Sequence, residues 1–395
     1  MTSSIKDKLI HTIQKILLNL SFFAGVMDFT PNKKGKKGGV WVVGTGEVAG
    51  MTKMIANAIP NSYSVVLEKN RFYNYNYNFQ GLALKSHVFS RLLFYITGPV
   101  LLGYLASRVY GFIYVGSSGF LISQVDSREY EFRFLKSHGK KVVCYLTGAD
   151  IRSPLKMRLA FEKSGEENYG NYIPFVNSVY DTDDHESRVK EVARVVDKYS
   201  DAFFNAEYDQ AAHLNRKAHA FMYFFSLENI DFNNEKYNQI LTTRIRILHA
   251  PSSPVLKGTP VVRTVIRMLQ NEGFKFEYVE LTNSPNSQIL ERLHDSHIVI
   301  NELYAFMPGV FAIEAMAMSC VVLTRADSLY ETQLPASSND AWVVTPAYAL
   351  YTNLKKLLEN PSSLEIQARK GFDWVRENSS LQACGPKLNS ILKDL

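Results

Sequence analysis

The sequence predicts an α/β protein of two domains, each built around a parallel sheet. Its length of 395 residues is typical of two domains. Short apolar runs alternate with helical patterns on both sides of the polar segment NIDFNNEKYNQ, near residue 235. Strands that alternate with helices form parallel sheets. We therefore expect a first domain over residues 29–238 and a second over residues 239–377, with residues 1–28 forming a separate helix.

The first domain begins with a strand, a glycine-rich turn and the start of a helix in GVWVVGTGEVAG, residues 39–50. Further buried strands are predicted in SYSVVLEKN, YGFIYVGSS, KKVVCYLTG and DAFFNA. Helices are predicted in SREYEFRFLKSHG and HESRVKEVARVVDKYS. The apolar residues 92–106 contain Gly98-Pro99 and are too few to span a bilayer, so they predict a buried helix, with one face toward lipid as an open alternative. The aromatic segment RFYNYNYNFQ is expected to be a loop, either simply exposed or lining an acceptor cleft.

The second domain repeats this alternation. Its predicted strands are TRIRILH, KFEYVELT and HIVINELY, and its predicted helices are PVVRTVIRMLQNEG and NSQILERLHDS. The segment PGVFAIEAMAMSCVVLT then adds a glycine-containing loop, a helix and a short strand. Ligands of such folds bind at the carboxyl ends of the strands, beside helix N-termini. We therefore expect a ligand site beside Gly309.

One acid, Glu314, lies among small and apolar residues about one turn inside this last helix. Free backbone N–H groups at a helix start favour an anion. A carboxylate one turn deeper does not bind that anion, but it accepts hydrogen bonds from neutral hydroxyls. A phosphate that carries a ribose matches both features. A carboxylate paired with a nearby Lys or Arg explains this segment equally well.

The composition is that of an ordinary soluble protein, with 46% hydrophobic and 21% charged residues. A net charge of +6 is too diffuse to indicate nucleic acid as a partner. The cysteines, Cys144, Cys320 and Cys384, are far apart and form neither a disulfide framework nor a zinc pattern. A reducing cytoplasm is therefore the expected compartment.

Residues 1–28 are predicted to form an amphipathic helix. Its apolar face consists of Ile5, Leu9, Ile13, Ile16, Leu20 and Phe23. Polar residues interrupt the stretch too often for a signal peptide or a membrane span. NKKGKKGG follows, with four lysines in five positions. Two interpretations stay open: an interfacial helix on an anionic membrane surface, or a helix packed on the protein beside a solvated lysine loop.

The glycine-rich turn supports a different function. Gly44-x-Gly46-x-x-Ala49 follows a strand and opens a helix, and Glu68 ends the next strand. In dinucleotide-binding enzymes, such glycines let the pyrophosphate approach the backbone and such an acid holds the ribose. An NAD(P)-dependent oxidoreductase is therefore one alternative.

Three segments in a fixed order carry a resemblance to a known family. They are LTGADIRSP, ILHAPSSPVLKGTPVV and HDSHIVINELYAFMPGVFAIEAMAMSCVV. Together they resemble the GT-B glycosyltransferases, in particular the group 1 (GT4-like) retaining families, well over residues 245–325 and patchily over 105–155. The resemblance implies two Rossmann-like domains facing each other across a cleft. ENSSLQACGPKLNSIL resembles the family's closing helix, which implies that residues 378–395 pack back on the first domain.

The resemblance also implies a site for a nucleotide-diphosphate sugar in the second domain. Glu314 would hold the ribose hydroxyls, and the backbone N–H groups of Gly309 and Val310 would bind the diphosphate. Lys257 would neutralise charge that builds on the leaving diphosphate as the glycosidic bond breaks. The remaining donor-side candidates are Ser252, Ser253, Gly258 and Glu302. The two serines fit equally well as helix caps.

On the acceptor side, the resemblance indicates Gly46, Thr147, Asp150 and Arg152, with Asp150 a catalytic candidate beside Lys257 and Glu314. A role in capping the next turn explains Asp150 equally well. This sequence departs from the family at two positions. Phe306 stands where the first acid of a Glu-x7-Glu pattern is usual, and Thr147 stands where a His is usual. Glu302 is the candidate replacement for the missing acid.

The resemblance implies a cytoplasmic glycosyltransferase, peripheral on the inner face of a membrane. It would move a sugar to a glycan or lipid-linked acceptor in cell-surface polysaccharide synthesis, with retention of configuration. No metal or cofactor is expected, because the acidic run DTDDHES is explained by the start of the helix that follows it. Besides the oxidoreductase, a non-catalytic GT-B assembly subunit is an alternative, motivated by Phe306 and Thr147.

Overall fold

The computed structural model describes residues 5–27, 39–68, 70, 72–80, 88–117, 119–121, 126–238 and 240–395. Two parallel sheets, each with helices packed around it, make up the fold. The predicted α/β architecture is therefore confirmed. The lysines of residues 33–37 lie outside the described residues.

The first sheet contains six parallel strands: β1 (Trp41–Thr45), β2 (Ser62–Val66), β3 (Phe79–Gln80), β4 (Gly111–Val115), β5 (Lys141–Tyr145) and β6 (Ala202–Phe204). Their order is β3-β2-β1-β4-β5-β6. The central strand β1 is buried along its whole length, as expected of a parallel strand covered on both faces. Strand β3 comes from the aromatic segment that the sequence predicts to be a loop. That prediction is therefore wrong at its last two residues.

The helices before the second sheet are α1 (Ile5–Met27), α2 (Met51–Asn57), α3 (Val88–Arg108), α4 (Glu129–Ser137), α5 (Pro154–Phe161), α6 (Tyr169–Val176) and α7 (Asp183–Tyr199). Apolar side chains at helical spacing bury one side of α4 and α7 against the sheet. The acidic residues Asp183, Asp184 and Glu186 lie in the first turn of α7, where they face the helix N-terminus.

The second sheet contains five parallel strands: β7 (Ile245–His249), β8 (Phe276–Glu280), β9 (Ile298–Ile300), β10 (Val321–Thr324) and β11 (Val343–Val344). Their order is β11-β10-β9-β7-β8. The helices are α8 (Thr259–Asn271), α9 (Asn286–Asp295), α10 (Gly309–Ala317), α11 (Ser338–Ala341), α12 (Leu350–Glu359), α13 (Leu364–Asn378) and α14 (Leu381–Asp394). The predicted order of strands and helices up to β10 is thus the observed one.

Each sheet carries an apolar core on both faces. On the first sheet, α3, α4 and α7 cover one face, and α2 and α14 cover the other. The last helix lies against the first domain, where Asn389 Nδ2 donates a hydrogen bond of 2.8 Å to the carbonyl oxygen of Ala58. The second sheet is covered by α8 and α12 on one face and by α9 and α10 on the other.

Helix α1 packs on α3 with its polar side inward. Its buried residues include His11 and Gln14, and the His11 Nε2 atom lies 3.0 Å from Asp126 Oδ2. The two helices touch closely at Gly103, since a Cβ atom there would lie 2.5 Å from the carbonyl oxygen of Leu18. The side that the sequence predicts as the apolar face is exposed: Ile5, Leu9, Ile13, Ile16, Leu20 and Phe23.

Helix α3 is longer than the predicted residues 92–106 and is only partly buried. Leu102, Leu105 and Ala106 face the core, whereas Leu93, Ile96, Val100 and Tyr104 are exposed. The helix is therefore buried on one side only, as in the predicted alternative with one uncovered face, and contact of that face with lipid stays a prediction. Among the described helices, α1 alone is long and apolar enough to cross a membrane by length and composition, so the prediction that it is too polar for a membrane span is wrong on that criterion.

An acidic residue links the two domains. Both carboxylate oxygens of Glu331 accept hydrogen bonds of 2.8–3.0 Å from the backbone N–H groups of Glu207, Tyr208 and Asp209, which follow β6. Asp209 in turn accepts a hydrogen bond of 2.9 Å from the N–H of Phe306 in the second domain. These contacts hold the carboxyl edges of the two sheets toward each other.

Candidate functional site

A cavity of about 410 Å³ lies between the two domains. Its walls come from the segments that follow β1, β7, β8 and β9, at the carboxyl ends of the strands. This is where ligands bind in open α/β sheets. The first domain contributes Glu47, Val48, Ala49, Asn70, Phe72 and Tyr73. The second contributes, among others, Ser252, Lys257, Asn286, Asn301, Glu302, Gly309, Val310 and Glu314.

The N-terminus of α10 forms one end of the cavity. The helix starts at Gly309, whose φ of 72° is in the region that favours glycine. A glycine is required for a second reason, because a Cβ atom at this position would lie 2.6 Å from Glu302 Oε1. The next residue, Val310, packs against the core of the first sheet. Backbone N–H groups at a helix start can bind an anion, so this end of the cavity suits phosphate. The N–H of Gly309 donates a hydrogen bond of 3.2 Å to the Tyr223 hydroxyl, which a phosphate would replace.

Lys257 and Glu302 form an ion pair at the same end. The Lys257 Nζ atom lies 2.7 Å from Glu302 Oε2, and both side chains are largely buried. Burial raises the pKa of Glu302 in spite of the adjacent ammonium. Against the effect of burial, Glu302 raises the pKa of Lys257, which therefore keeps its charge at neutral pH. The carboxylate of Glu302 thus lies between the lysine and the start of α10, where a phosphate would bind.

Glu314 lies one turn into α10 and is 3% exposed. Asn286 Nδ2, at the start of α9, donates a hydrogen bond of 2.8 Å to Glu314 Oε1, and the Tyr73 hydroxyl donates another to the carboxylate. Burial raises the pKa of Glu314 to about 7, although both hydrogen bonds lower it. None of its partners among the described residues is a cation, so these contacts do not support the sequence alternative of a carboxylate paired with Lys or Arg. The group is equipped to accept hydrogen bonds from neutral donors.

The aromatic segment of residues 72–80 crosses from the first domain to the second. The carbonyl oxygen of Phe72 accepts a hydrogen bond of 3.0 Å from the N–H of Asn286. Tyr73 reaches Glu314, and the Tyr77 hydroxyl donates a hydrogen bond of 2.6 Å to Glu47 Oε2. Tyr73 therefore takes a hydrogen-bonding position on Glu314 that a ribose hydroxyl would need.

Six of the predicted donor-side residues line the cavity: Ser252, Lys257, Glu302, Gly309, Val310 and Glu314. The other two have local roles. Gly258 caps α8 with a φ of 77°, and a Cβ atom there would lie 2.8 Å from Leu303. The carbonyl oxygen of Ser253 accepts a hydrogen bond of 3.0 Å from the N–H of Lys257 and so shapes the turn that presents the lysine.

The predicted acceptor-side residues lie outside the cavity lining. The Asp150 carboxylate accepts hydrogen bonds of 3.0 and 3.2 Å from the N–H of Thr147, which is a turn-capping role. Arg152 donates through Nε to the carbonyl oxygen of Asp209 at 2.8 Å and through a terminal nitrogen to its carboxylate at 3.1 Å. The N–H of Gly46 bonds to the carbonyl oxygen of Val115 at 3.3 Å. Gly46 directly precedes a cavity residue, Glu47.

Phe306, at the position of the missing family acid, is fully buried. Its ring stacks on Phe161 with centroids 4.5 Å apart, and the Arg325 guanidinium lies 4.5 Å from its centroid. The residue packs beneath the cavity edge rather than lining it. Glu302, the acid that the sequence indicates as its replacement, lines the cavity.

Sequence reasoning missed most of the other cavity residues, among them Glu47, Tyr73 and Asn286. Glu47 and Asn286 each follow a predicted strand at its carboxyl end, which is a signal that could have identified them. Tyr73 belongs to a segment without a periodic pattern, so no local signal indicated that it reaches across the cleft. Among the described residues, no group of three or more His, Cys, Asp or Glu side chains could hold a metal ion.

The architecture matches solved structures of the GT-B fold. HepE from Anabaena, in complex with UDP-glucose, aligns with a TM-score of 0.55 at 8% identity, over 90% of this chain and 99% of that one. Sucrose-phosphate synthase from Thermosynechococcus elongatus gives 0.58 at 10% identity, over 92% and 99%. WaaG, a glycosyltransferase involved in lipopolysaccharide biosynthesis, gives 0.50 at 12%, over 89% and 99%. The chain therefore has the GT-B fold, as predicted from its motifs. No family model and no curated protein matches the sequence.

Proposed function

We propose that the protein is a glycosyltransferase that binds a nucleotide-diphosphate sugar in the cavity between its domains. The observation that carries this proposal is the arrangement around α10. A helix start with Lys257 beside it lies next to a buried carboxylate, Glu314, whose hydrogen-bond partners among the described residues are neutral. A ligand with a diphosphate and a ribose supplies the complementary groups.

Lys257 is the group that would act on the reaction itself. Negative charge builds on the diphosphate as its bond to the sugar breaks, so a fixed cation stabilises the transition state more than the bound donor. In this proposal the reaction proceeds with retention and without a metal ion, as the resemblance to group 1 families implies. Glu314 contributes to binding rather than to the chemical step.

The glycine-rich turn fits a dinucleotide less well. The carboxylate of Glu47 follows this turn directly in the cavity and has no cation among its described partners, whereas the carboxylate of Glu302 at the other site is neutralised by Lys257. A carboxylate at this position repels a pyrophosphate. These observations favour a nucleotide on the second domain over NAD(P) on the first.

The acceptor in this proposal is a glycan or lipid-linked glycan at the cytoplasmic face of a membrane, within cell-surface polysaccharide synthesis. The support is the exposed apolar side of α1, which adjoins the exposed side chains of α3 such as Leu93 and Ile96. Lys6, Lys8 and Lys15 on α1 add positive charge. An apolar surface with basic residues suits the interface of an anionic membrane.

A non-catalytic GT-B subunit remains a second candidate, because Phe306 is buried in an aromatic cluster and Thr147 replaces the family's His. Hydrolysis of the donor without an acceptor separates the two candidates. A glycosyltransferase should release sugar slowly from its donor, and the release should disappear in Lys257→Ala. A binding subunit should hold the nucleotide and release none.

A thermal-shift screen of UDP-, GDP-, CMP- and ADP-sugars tests the proposed function. A ligand at one hundred times its dissociation constant stabilises a protein by about 2.7 kcal/mol, which gives a clear rise in melting temperature. We expect one nucleotide series to give this rise and NADH to give none. A rise with NADH and none with any nucleotide sugar would identify the oxidoreductase alternative.

A further inference from the structure

Glu47 is a cavity residue to which the resemblance assigns no role. It follows the glycine-rich turn at the end of β1, on the first-domain wall. Its Oε2 atom accepts the hydrogen bond from Tyr77 at 2.6 Å. Its other oxygen, Oε1, is buried and has no hydrogen-bond partner among the described residues. A buried carboxylate oxygen without a partner is unfavourable and needs an explanation.

Hydrogen bonds from the N-terminus of α2 do not explain why the Glu47 Oε1 atom is buried without a partner. The backbone N–H groups of Gly50, Thr52 and Lys53 lie close enough to lower the pKa of Glu47, but burial outweighs them and the pKa is raised. None of these N–H groups makes a hydrogen bond with Oε1. An unfavourable group that local packing does not require is typical of a site completed by a ligand.

The other carboxylates of the cavity already have partners. Glu302 is paired with Lys257, and Glu314 is bonded to Asn286 and Tyr73. The family's usual acid is replaced by Phe306, which does not line the cavity. Among the described lining residues, Glu47 is therefore the acid with a buried carboxylate oxygen that lacks a hydrogen-bond partner.

We propose that Glu47 binds a hydroxyl or amino group of the transferred sugar and so helps to select the donor. This inference rests on the proposed function, because the sugar must lie in the same cavity as the diphosphate bound by Lys257. The phosphates would turn to the start of α10 in the second domain, which leaves the first-domain wall to the sugar. Tyr77 is the positioning residue, since its hydroxyl holds Oε2 and thereby orients Oε1.

A carboxylate discriminates strongly between sugars. A site built to bond a hydroxyl or amine rejects an analogue without that group, because the buried acceptor is then left unpaired. Glu47 would therefore favour the sugar that places a hydrogen-bond donor on Oε1 over the deoxy sugar or epimer that does not. The free nucleoside diphosphate makes no such contact.

The experiment compares wild type with Glu47→Gln, using the sugar nucleotide that gives the largest melting shift in the screen and its own nucleoside diphosphate. Calorimetry gives both dissociation constants, and donor hydrolysis gives the turnover. We expect Glu47→Gln to bind the nucleoside diphosphate within about twofold of wild type. Its affinity for the sugar nucleotide and its hydrolysis rate should each fall about tenfold or more, as for a lost hydrogen bond to a charged group.

Two further variants control for folding and charge. Tyr77→Phe keeps the carboxylate but frees Oε2, so it should cause a smaller loss in the same direction. Glu162→Gln removes an exposed acid outside the cavity and should change neither ligand's affinity. The inference is overturned if Glu47→Gln keeps the sugar nucleotide's affinity and turnover, or weakens both ligands equally. If wild type binds no sugar nucleotide at all, the proposed function itself fails.

Discussion

At the scale of single residues, the cavity holds three carboxylates and one lysine among its described lining residues. Lys257 is close to Glu302, which balances its charge. A nucleoside diphosphate must therefore displace a carboxylate from the lysine and from the start of α10. The proposed site thus differs from a phosphate site in which the lysine has no acidic partner.

Substitutions of Glu302 and of Lys257 should change the affinity for a nucleoside diphosphate in opposite directions. Glu302→Gln removes the competing charge, so we expect nucleoside diphosphate binding to tighten by about 1 kcal/mol, roughly fivefold. Lys257→Ala should weaken the diphosphate more than the nucleoside, because it removes a charge directed at phosphate. Calorimetry with both ligands measures this. Weaker diphosphate binding in Glu302→Gln, or equal losses for both ligands in Lys257→Ala, would contradict the assigned phosphate position.

A double cycle that combines the Glu314→Gln variant with a 2′-deoxynucleotide tests whether Glu314 binds the ribose. Glu314→Gln keeps the shape and one acceptor oxygen but loses the charge, so nucleotide binding should weaken by roughly 1.5–3 kcal/mol. A 2′-deoxynucleotide should lose little further affinity in this variant, because the same contact is already weakened. Additive losses, measured by calorimetry, would show that Glu314 and the 2′-hydroxyl do not interact.

The raised pKa of Glu314 also makes the stability of the free protein depend on pH. In the unfolded chain this group titrates at its ordinary value, near 4.5, whereas burial raises its pKa to about 7 in the folded protein. Between these values the folded state holds more protons, so stability falls as pH rises through this window. The melting temperature of wild type should fall more between pH 5 and pH 8 than the melting temperature of Glu314→Gln. Glu331, with a pKa of about 7, is present in both proteins and cancels in the comparison.

At the scale of elements, the sequence predicted the alternating strands and helices well, because buried parallel strands and amphipathic helices have strong periodic patterns. It failed where tertiary contacts decide. Strand β3 is only two residues long and forms by pairing with β2, which no local pattern indicates. The ion pair between Lys257 and Glu302 joins residues from different loops. The outward side of α3 has the same apolar composition as its inward side, so composition could not separate them.

Helix α1 gives a prediction at this scale. Its exposed apolar side should bind vesicles that contain anionic lipid, with an electrostatic part of about 1 kcal/mol per lysine near the surface. High salt should weaken this binding without abolishing it, because the Debye length shrinks from about 10 Å at 0.1 M to about 3 Å at 1 M. The variant Leu9→Ser, Ile16→Ser and Leu20→Ser changes exposed side chains, so it should stay folded, lose vesicle binding in a sedimentation assay and keep donor hydrolysis.

Two results would contradict the prediction that α1 binds an anionic membrane surface. Undiminished sedimentation of the triple variant with vesicles would mean that the apolar side does not contact lipid. Deletion of residues 1–28 is the less selective test, because Leu18 belongs to the core of the first domain. If that deletion unfolds the protein while the triple variant stays folded and bound to vesicles, α1 serves only as a core helix.

At the scale of the whole molecule, two parallel sheets meet with their carboxyl edges across one cavity. Glu331 and Asp209 join the domains beside it, and Tyr73 crosses it to Glu314. The GT-B fold could be predicted from the order of the motifs, because they are spaced along the chain as the fold requires. The contribution of the first domain to the cavity could not, since it depends on how the domains face each other.

The most direct test of the central claim is a crystal structure of the protein with the nucleoside diphosphate chosen by the thermal-shift screen. We predict that the ribose hydroxyls lie within hydrogen-bonding distance of Glu314, with the Tyr73 hydroxyl displaced. The diphosphate should lie at the N–H groups of Gly309 and Val310, with Lys257 released from Glu302. A nucleotide bound over the glycine-rich turn of residues 44–49, with Glu314 still bonded to Tyr73, would contradict the account.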